Sequence, residues 1–453
     1  MTTPDASFSL PPHTPRAAAS RRTRPLRAQP LVEERERFGL QLVPPRRGGP
    51  VPWLNATRAE FRHVGRRAED EEKERERERD REREGGEHEH EHEHKRSDGL
   101  GSHAPAAAVG FRWTSRNHRK GRHQLVYVRE RAKGVVGTTR YLVPEGKAVL
   151  RTFWRMVVEY PWWDVSWLVA WVFTWGSIIW VLNSFFVWLP VQTPSSEFGT
   201  EVLYGGGITA FIGATIFEFG SVLLLLEAIN DSRTACFGWA VHEVLDNAHV
   251  QRALFRLEPD MDGCGHHHSQ RPRQRERAWI WWPTWAELRS HYLFELGFLA
   301  SAFQMAGATV FWVSGFTALP GIYDHMTPGQ ELGAFWIPQI VGGSGFIISG
   351  LLFTLETQTR WWKPQLTVLG WYVGVFNMIG GVGFTLCPIF GLYGWGDYQS
   401  TLSTFWGSWA FLIGSTIQLY ESLGKTPVDE VEGLSGDEWE AGKGKEKREK
   451  EDA

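Results

Sequence analysis

Six stretches dominated by apolar residues follow residue 160, at 166–189, 203–229, 296–317, 336–356, 367–390 and 401–421. Each is long enough, at about 20 residues, to cross roughly 30 Å of hydrocarbon as a helix, so the pattern predicts six transmembrane helices. The short connections after the first, third and fifth stretches contain Glu197, Glu201, Asp324, Glu331 and Asp397 but no Lys or Arg. Lys and Arg instead flank the other ends. Because basic residues mark the cytoplasmic side, both termini and the long 231–290 loop are expected there. The predicted fold is an all-α membrane protein whose six transmembrane helices form three hairpins, with disordered cytoplasmic tails.

A repeat strengthens this reading. The second, fourth and sixth stretches share Gly213, Phe217, Gly220-Ser221 and Glu227; Gly342, Phe346, Ser349-Gly350 and Glu356; and Gly407, Phe411, Gly414-Ser415 and Glu421. The interval from the first glycine to the glutamate is 14 residues each time. The odd stretches carry an aromatic residue nine before a glycine and another four after it: Trp167, Gly176, Trp180; Phe298, Gly307, Phe311; Trp371, Gly380, Phe384. Small residues seven apart share a helix face, so Gly213 with Gly220, Gly342 with Ser349, and Gly407 with Gly414 are expected to form helix-packing seams. The hairpins occupy residues 161–230, 291–358 and 359–422.

Composition changes the picture only when it is mapped along the chain. The 453 residues carry a formal charge of -3 and are 42% hydrophobic, averages that suit a soluble protein. Residues 1–110, rich in Pro, Arg and Glu, are expected to be a disordered cytoplasmic region, and residues 423–453 a disordered charged tail. Between the first region and the first hairpin lies a basic juxtamembrane segment, 111–160, whose residues 111–155 could engage anionic lipid head groups. Cytosolic proteins are further candidate partners for the tails, and nucleic acid is not expected. The 231–290 loop contains helical apolar spacing at 235–257, which predicts an amphipathic helix on the membrane or under the bundle. Three cysteines exclude a disulfide framework. Many of the 24 tryptophans fall at predicted membrane boundaries, where amphipathic rings are favoured.

Candidate chemistry centres on Glu218, midway along the second stretch. An intramembrane acid is costly unless protonated, paired or wetted. It is read either as a proton- or cation-handling group or as a structural hydrogen-bonding partner of Asn183, Gln304 or Asn377, the amides of the odd stretches. Glu227, Glu356 and Glu421 fall at the cytoplasmic ends of their helices, where a negative charge opposes the helix dipole. Arg233, Arg360 and Lys425 follow them as candidate compensating charges. The glutamates are read as interfacial anchors or, alternatively, as a ring of three carboxylates at a mouth. A weak metal-binding reading attaches to His88, His90, His92 and His94, which alternate with glutamates, and to Cys264 with His266, His267 and His268. Neither has the spacing of a folded zinc site. No nucleophile elbow, phosphate-binding glycine loop or HExxH pair occurs, so no catalytic residue or cofactor is expected.

The hairpin pattern Gly-x3-Phe-x2-[Gly/Ser]-[Ser/Gly]-x5-Glu after a Trp-rich first helix resembles the YrhK-like two-helix membrane domain. The whole layout is similar to multispanning integral membrane proteins of filamentous fungi. The resemblance covers residues 160–422 and implies the repeat, with no activity or functional residue to carry over. The function expected is a non-enzymatic membrane scaffold or lipid-organising protein; the alternative is a transporter or channel for protons or metal cations that uses Glu218.

Overall fold

The computed structural model describes residues 40–42, 48–63, 108–122, 124–128, 146–231, 233–246, 279–392 and 396–423. Helices among them are α1 (Ser115–Arg119), α2 (Gly146–Val158), α3 (Val165–Gln192), α4 (Gly207–Ile229), α5 (Phe237–Asp246), α6 (Trp285–Ser290), α7 (Leu296–Thr317), α8 (Ile337–Thr357), α9 (Leu369–Leu392) and α10 (Asp397–Leu423). One-turn π segments, Glu201–Gly206 and Leu332–Trp336, lead into α4 and α8.

The six long helices pack in chain order, α3 on α4, α4 on α7, α7 on α8, α8 on α9 and α9 on α10, and α10 returns to α3. The bundle is therefore a closed ring. Among the described residues five segments, Val165–Gln192, Glu201–Ile229, Leu296–Thr317, Pro328–Thr357 and Leu369–Leu392, are long and apolar enough to cross a membrane. The sixth long helix, α10, is more polar, because Ser400, Ser403, Thr404, Ser408 and Gln418 lie on its buried side. Two of its hydroxyls bond within the helix, Ser403 donating to the Gln399 carbonyl at 2.7 Å and Ser408 to the Thr404 carbonyl at 2.7 Å, while Ser400 donates across to the Cys387 carbonyl of α9 at 2.9 Å.

Aromatic rings fill the centre in two layers. Phe217, Phe346 and Phe411 form one triangle, with centroids 5.4–6.3 Å apart. Trp180, Phe311 and Phe384 form the next, at 4.8–5.7 Å. Rings of neighbouring layers meet at 5.3–6.5 Å, mostly edge to face, the arrangement aromatic quadrupoles favour. Glycines make room for them. A Cβ on Gly176 or Gly380 would fall 2.7 Å from the Phe217 or Phe411 ring, and one on Gly213 would fall 2.8 Å from Trp180. Gly342 faces Phe311, Gly407 approaches Phe384, Gly220 backs onto Phe173, and Gly414 onto Phe376. Between α8 and α9 the backbones themselves touch. A Cβ on Gly381 would lie 2.8 Å from the Ile347 amide, and Gly350 sits against the Met378 amide.

A four-stranded antiparallel sheet, β1 (Leu40–Leu42), β2 (Arg58–His63), β3 (Ala108–Thr114) and β4 (Gln124–Val128), in the order β1-β2-β3-β4, places strands at 40–42, 58–63 and 108–110 of the segment expected to be disordered, most of which lies outside the described residues. Register explains it. Ala59 pairs with Trp113, Phe61 with Phe111 and Phe111 with Leu125, so alternate apolar positions share one face of the sheet. Those short alternations are interrupted by charged sequence, which masked them in the composition. The sheet end is tied to the bundle by Asn55, whose amide donates to the Phe294 carbonyl at 2.8 Å, and by Arg58, which donates to the Thr357 carbonyl at 2.5 Å.

Helix α5 falls within the expected 235–257 segment and packs under the bundle. Its Ala240 and the preceding Cys236 join the main core beside Trp279, and the Gly238 amide donates to the Trp163 carbonyl at 3.0 Å. Asn230 clips the loop back by exchanging two 2.8 Å hydrogen bonds with the Ile280 backbone.

Because the Gly350 seam is backbone against backbone, Gly350→Val should destabilise the protein by at least about 1–3 kcal/mol. Gly329→Ala, with nothing within 4 Å of its added carbon, should not. Thermal unfolding in detergent, followed by near-ultraviolet circular dichroism of the tryptophans, checks the pair.

Candidate functional site

The chain from Thr114 to Arg122 makes one tight helical turn. Thr114 caps it by accepting from the Asn117 amide at 3.2 Å, and Gly121, at φ +64, ends it in the left-handed conformation that glycine adopts without strain. This geometry projects Arg116, Arg119, Lys120 and Arg122 toward the ends of α4, α8 and α10. There the three repeated glutamates converge. Arg119 bridges two of them, with Nη1 3.2 Å from Glu227 and Nη2 2.7 Å from Glu356. Arg116 and Arg122 hold Glu421 at 2.5 Å and 3.0 Å. Lys120 approaches Glu227 at 3.4 Å, and the Ser115 hydroxyl donates to Glu356 at 3.0 Å.

These charges are buried: Glu227 is 0% exposed, Glu356 2%, Lys120 2% and Arg119 3%. A buried carboxylate at a helix C-terminus faces both desolvation and an opposing dipole, so the cations are required partners. Although burial opposes it, the carboxylates of Glu356 and Glu227 hold the Arg119 guanidinium above its ordinary pKa. Burial lowers Arg122, against the pull of Glu421. The sequence pointed to Arg233, Arg360 and Lys425 as compensating charges. The structure pairs the glutamates with the 116–122 cations instead, while Arg360 lies 5.8 Å over the Trp362 ring and Lys425 is outside the described residues. The lipid reading of 111–155 is corrected for these four cations, which turn into the protein.

Two further residues escaped the sequence reading. A Cβ on Gly297, at the start of α7, would lie 2.7 Å from Arg119 Nε and 2.8 Å from Glu356 Oε1, and one on Gly370, at the start of α9, would strike the Arg116 guanidinium. Both glycines are slots for arginines. A glycine one or two residues into a helix after a polar loop was the available signal.

Glu218 lies away from this ring. Its Oε1 accepts from the Thr309 hydroxyl at 2.9 Å, and the Trp312 indole donates to Thr215 at 3.0 Å, making a polar seam between α4 and α7. Thr309, rather than Asn183, Gln304 or Asn377, is its partner. Asn183 donates to the Gly206 carbonyl at 2.7 Å and to Thr209 at 3.0 Å, pinning the π turn before α4. Gln304 and Asn377 line a cavity under the cationic turn. The segments holding His88, His90, His92, His94, Cys264, His266, His267 and His268 are outside the described residues.

Beside the ring, Asp231, His291 and Glu295 bring ligand atoms within 4.8 Å of one another, a set able to take a divalent cation. Burial raises the Asp231 carboxyl to about 6, with His118 and Arg119 opposing and Glu356 adding to the shift. Glu295 is likewise raised well above its ordinary value, by burial and then by Asp231 and Glu356.

No protein-family model, curated protein or solved structure matches the chain. The five apolar helices carry the assignment. The chain is a multi-pass membrane protein.

Removing Arg119 takes the paired cation from Glu356 and leaves Glu227 with Lys120, so Arg119→Met should cost about 3–5 kcal/mol, with most of the loss recovered when Glu227→Gln and Glu356→Gln are added. Thermal denaturation of the single and triple variants reads this. The carboxyl at Asp231 sets a second test. A carboxyl with a raised folded pKa keeps extra protons between its unfolded and folded values, so its stabilisation is present at low pH and lost as pH rises through about 6. The wild type should gain stability relative to Asp231→Asn as pH falls from about 7 to about 5, measured by unfolding midpoints across that range.

Proposed function

We propose that the protein is a non-enzymatic membrane scaffold of three repeated helical hairpins, locked at one end by its own arginine-rich turn. The observation that carries this reading is the meeting of equivalent positions. One aromatic ring per hairpin enters each central triangle, and one glutamate per hairpin enters the ring of carboxylates. The resemblance to YrhK-like two-helix domains agrees with such a repeat. In this reading α10 is the sixth span, tolerated in lipid because its polar face is turned into the bundle. The basic flanks favour placing both termini and the carboxylate end in the cytoplasm.

Apolar side chains on the ring's outside, among them Trp175, Phe219 and Ile413, suit lipid contact. The tails, and the basic residues of 111–155 beyond the 116–122 turn, are left for anionic head groups or cytosolic proteins. Transport through Glu218 is the weaker reading, because that carboxylate bonds within a helix seam while six buried rings occupy the bundle centre.

Two measurements test the proposal. Tags placed near Glu197, Asp324 and Asp397 should be inaccessible from the cytosol, whereas cytosolic labelling of any of them would break the three-hairpin topology. Purified protein in proteoliposomes should carry no proton or metal-cation flux under imposed gradients. A pH-dependent flux that disappears in Glu218→Gln would replace the scaffold by a transporter.

A further inference from the structure

Between the cationic turn and the aromatic layers lies a cavity of about 30 Å³, counted as space for the centres of water-sized bodies. Since about 10–15 Å³ suffices for one water, the space admits one or two small occupants. Its roof is Arg116, Arg119 and Lys120, and no Asp or Glu is among its lining residues. The glutamates that pair with these cations stand outside the cavity wall, so the groups facing the space are positive or neutral.

The polar groups around it are underused. Lys120 Nζ stands 3.4 Å from Glu227 Oε1 without the angle of a hydrogen bond, and Ser349 Oγ, 1% exposed, has no hydrogen-bond partner. The side chains of Gln304, Asn377 and Gln418, which also line the space, find no partner among the described residues. Such groups are costly when left unsatisfied in a dry interior. Each offers an N–H or O–H donor. The remaining wall, including Phe173, Phe217 and Phe353, consists of apolar surface whose ring edges carry partial positive charge.

We propose that this cavity is a binding site for a small monovalent anion of halide size, held by Lys120, Ser349 and the amides of Gln304, Asn377 and Gln418. The lining favours an anion over water alone, because three cations and no carboxylate side chain face the space. Size excludes a phosphate ester or a carboxylic acid of any length. Burial, together with the repulsion of Arg116 and Arg119, draws the Lys120 ammonium down to about 8, against the opposing pull of Glu227 and Glu421. An anion beside it would favour the charged form, so halide binding should weaken as pH rises beyond that value.

The test uses the full chain in detergent with gluconate as the starting anion. Chloride or bromide is titrated in at constant ionic strength while the thermal midpoint is followed. A saturable rise of a few degrees is expected with either halide, together with an anomalous bromide peak in the cavity of crystals soaked in that ion. Asn377→Leu and Ser349→Ala leave the ion pairs intact and should each weaken the halide response by about tenfold, the loss of one charge-assisted hydrogen bond. Lys120→Met should remove the response; if that variant does not fold, the two milder ones carry the test. Equal midpoints in chloride and gluconate, an unaltered response in both Asn377→Leu and Ser349→Ala, or a cavity holding only water at saturating bromide would each overturn the site. None of these readouts depends on flux or on the topology of the loops.

Discussion

Three carboxylates gathered at the ends of α4, α8 and α10 are the constraint from which the remaining arrangement follows. Each lies where its own helix dipole disfavours a negative charge, and each is removed from water. Brought together unaided they would repel one another through a medium that screens poorly. The turn 114–122 resolves the conflict by supplying four cations from a rigid, capped loop. Arg119 is the central member because one guanidinium spans two glutamates, and its planar fork suits that bridging as an ammonium would not. The glycines at 297 and 370 are the counterpart of this choice, since the arginines reach the ring only across helix starts that carry no side chain.

Below the ring the problem is different, because lipid offers no hydrophobic reward for bringing helices together. Close approach has to supply the attraction. The glycine positions do so in two ways: between α8 and α9 they let backbones touch, and around Gly176, Gly213 and Gly380 they admit aromatic rings. The two ring triangles are thus the product of small residues as much as of large ones. On the buried side of α10 the Ser403 and Ser408 hydroxyls bond their own helix and Ser400 bonds the Cys387 carbonyl of α9, which lets a comparatively polar helix close the ring against α3 through Ser415 and Ser177, at 3.4 Å, and through Phe405 against Trp188, at 4.6 Å between centroids.

Much of this was legible in the sequence because membrane helices advertise themselves by length and because the same residues recur at the same interval. The spacing of Gly213, Phe217 and Glu227 against their counterparts drew attention to residues that meet in space. What stayed hidden was the partner. The glutamates and the 116–122 cations are far apart along the chain, with Arg116 and Glu421 separated by 305 residues, and local periodicity carries no information about such pairs. A basic flank before a membrane span fits lipid contact and orientation equally well, so its inward turn could not be read from composition. The strands were obscured for a related reason: three short alternations, at 58–63, 108–114 and 124–128, are too brief to register beside long charged runs. Glu218 is different: its rarity as an intramembrane acid made it prominent, and the partner found is the Thr309 hydroxyl on α7, which reaches one carboxylate oxygen and leaves the other without a hydrogen bond.

The long separation also bears on how the structure can form. The cationic turn precedes every long helix, whereas its last acceptor, Glu421, lies at the end of α10. Until α10 is in place the turn can satisfy only Glu227 and Glu356, and Arg116 and Arg122 have no carboxylate in the ring. Closure of the helix ring and neutralisation of its charges are consequently one event. Replacing such an ionic cluster by apolar side chains of similar volume is often neutral or stabilising, so the cluster's contribution is better sought in specificity than in free energy. An apolar cap would accept many apolar segments. A ring of three carboxylates that must be matched by four donors at fixed spacing accepts the 114–122 turn in one orientation, and in that orientation the cations' inner faces look down on the cavity.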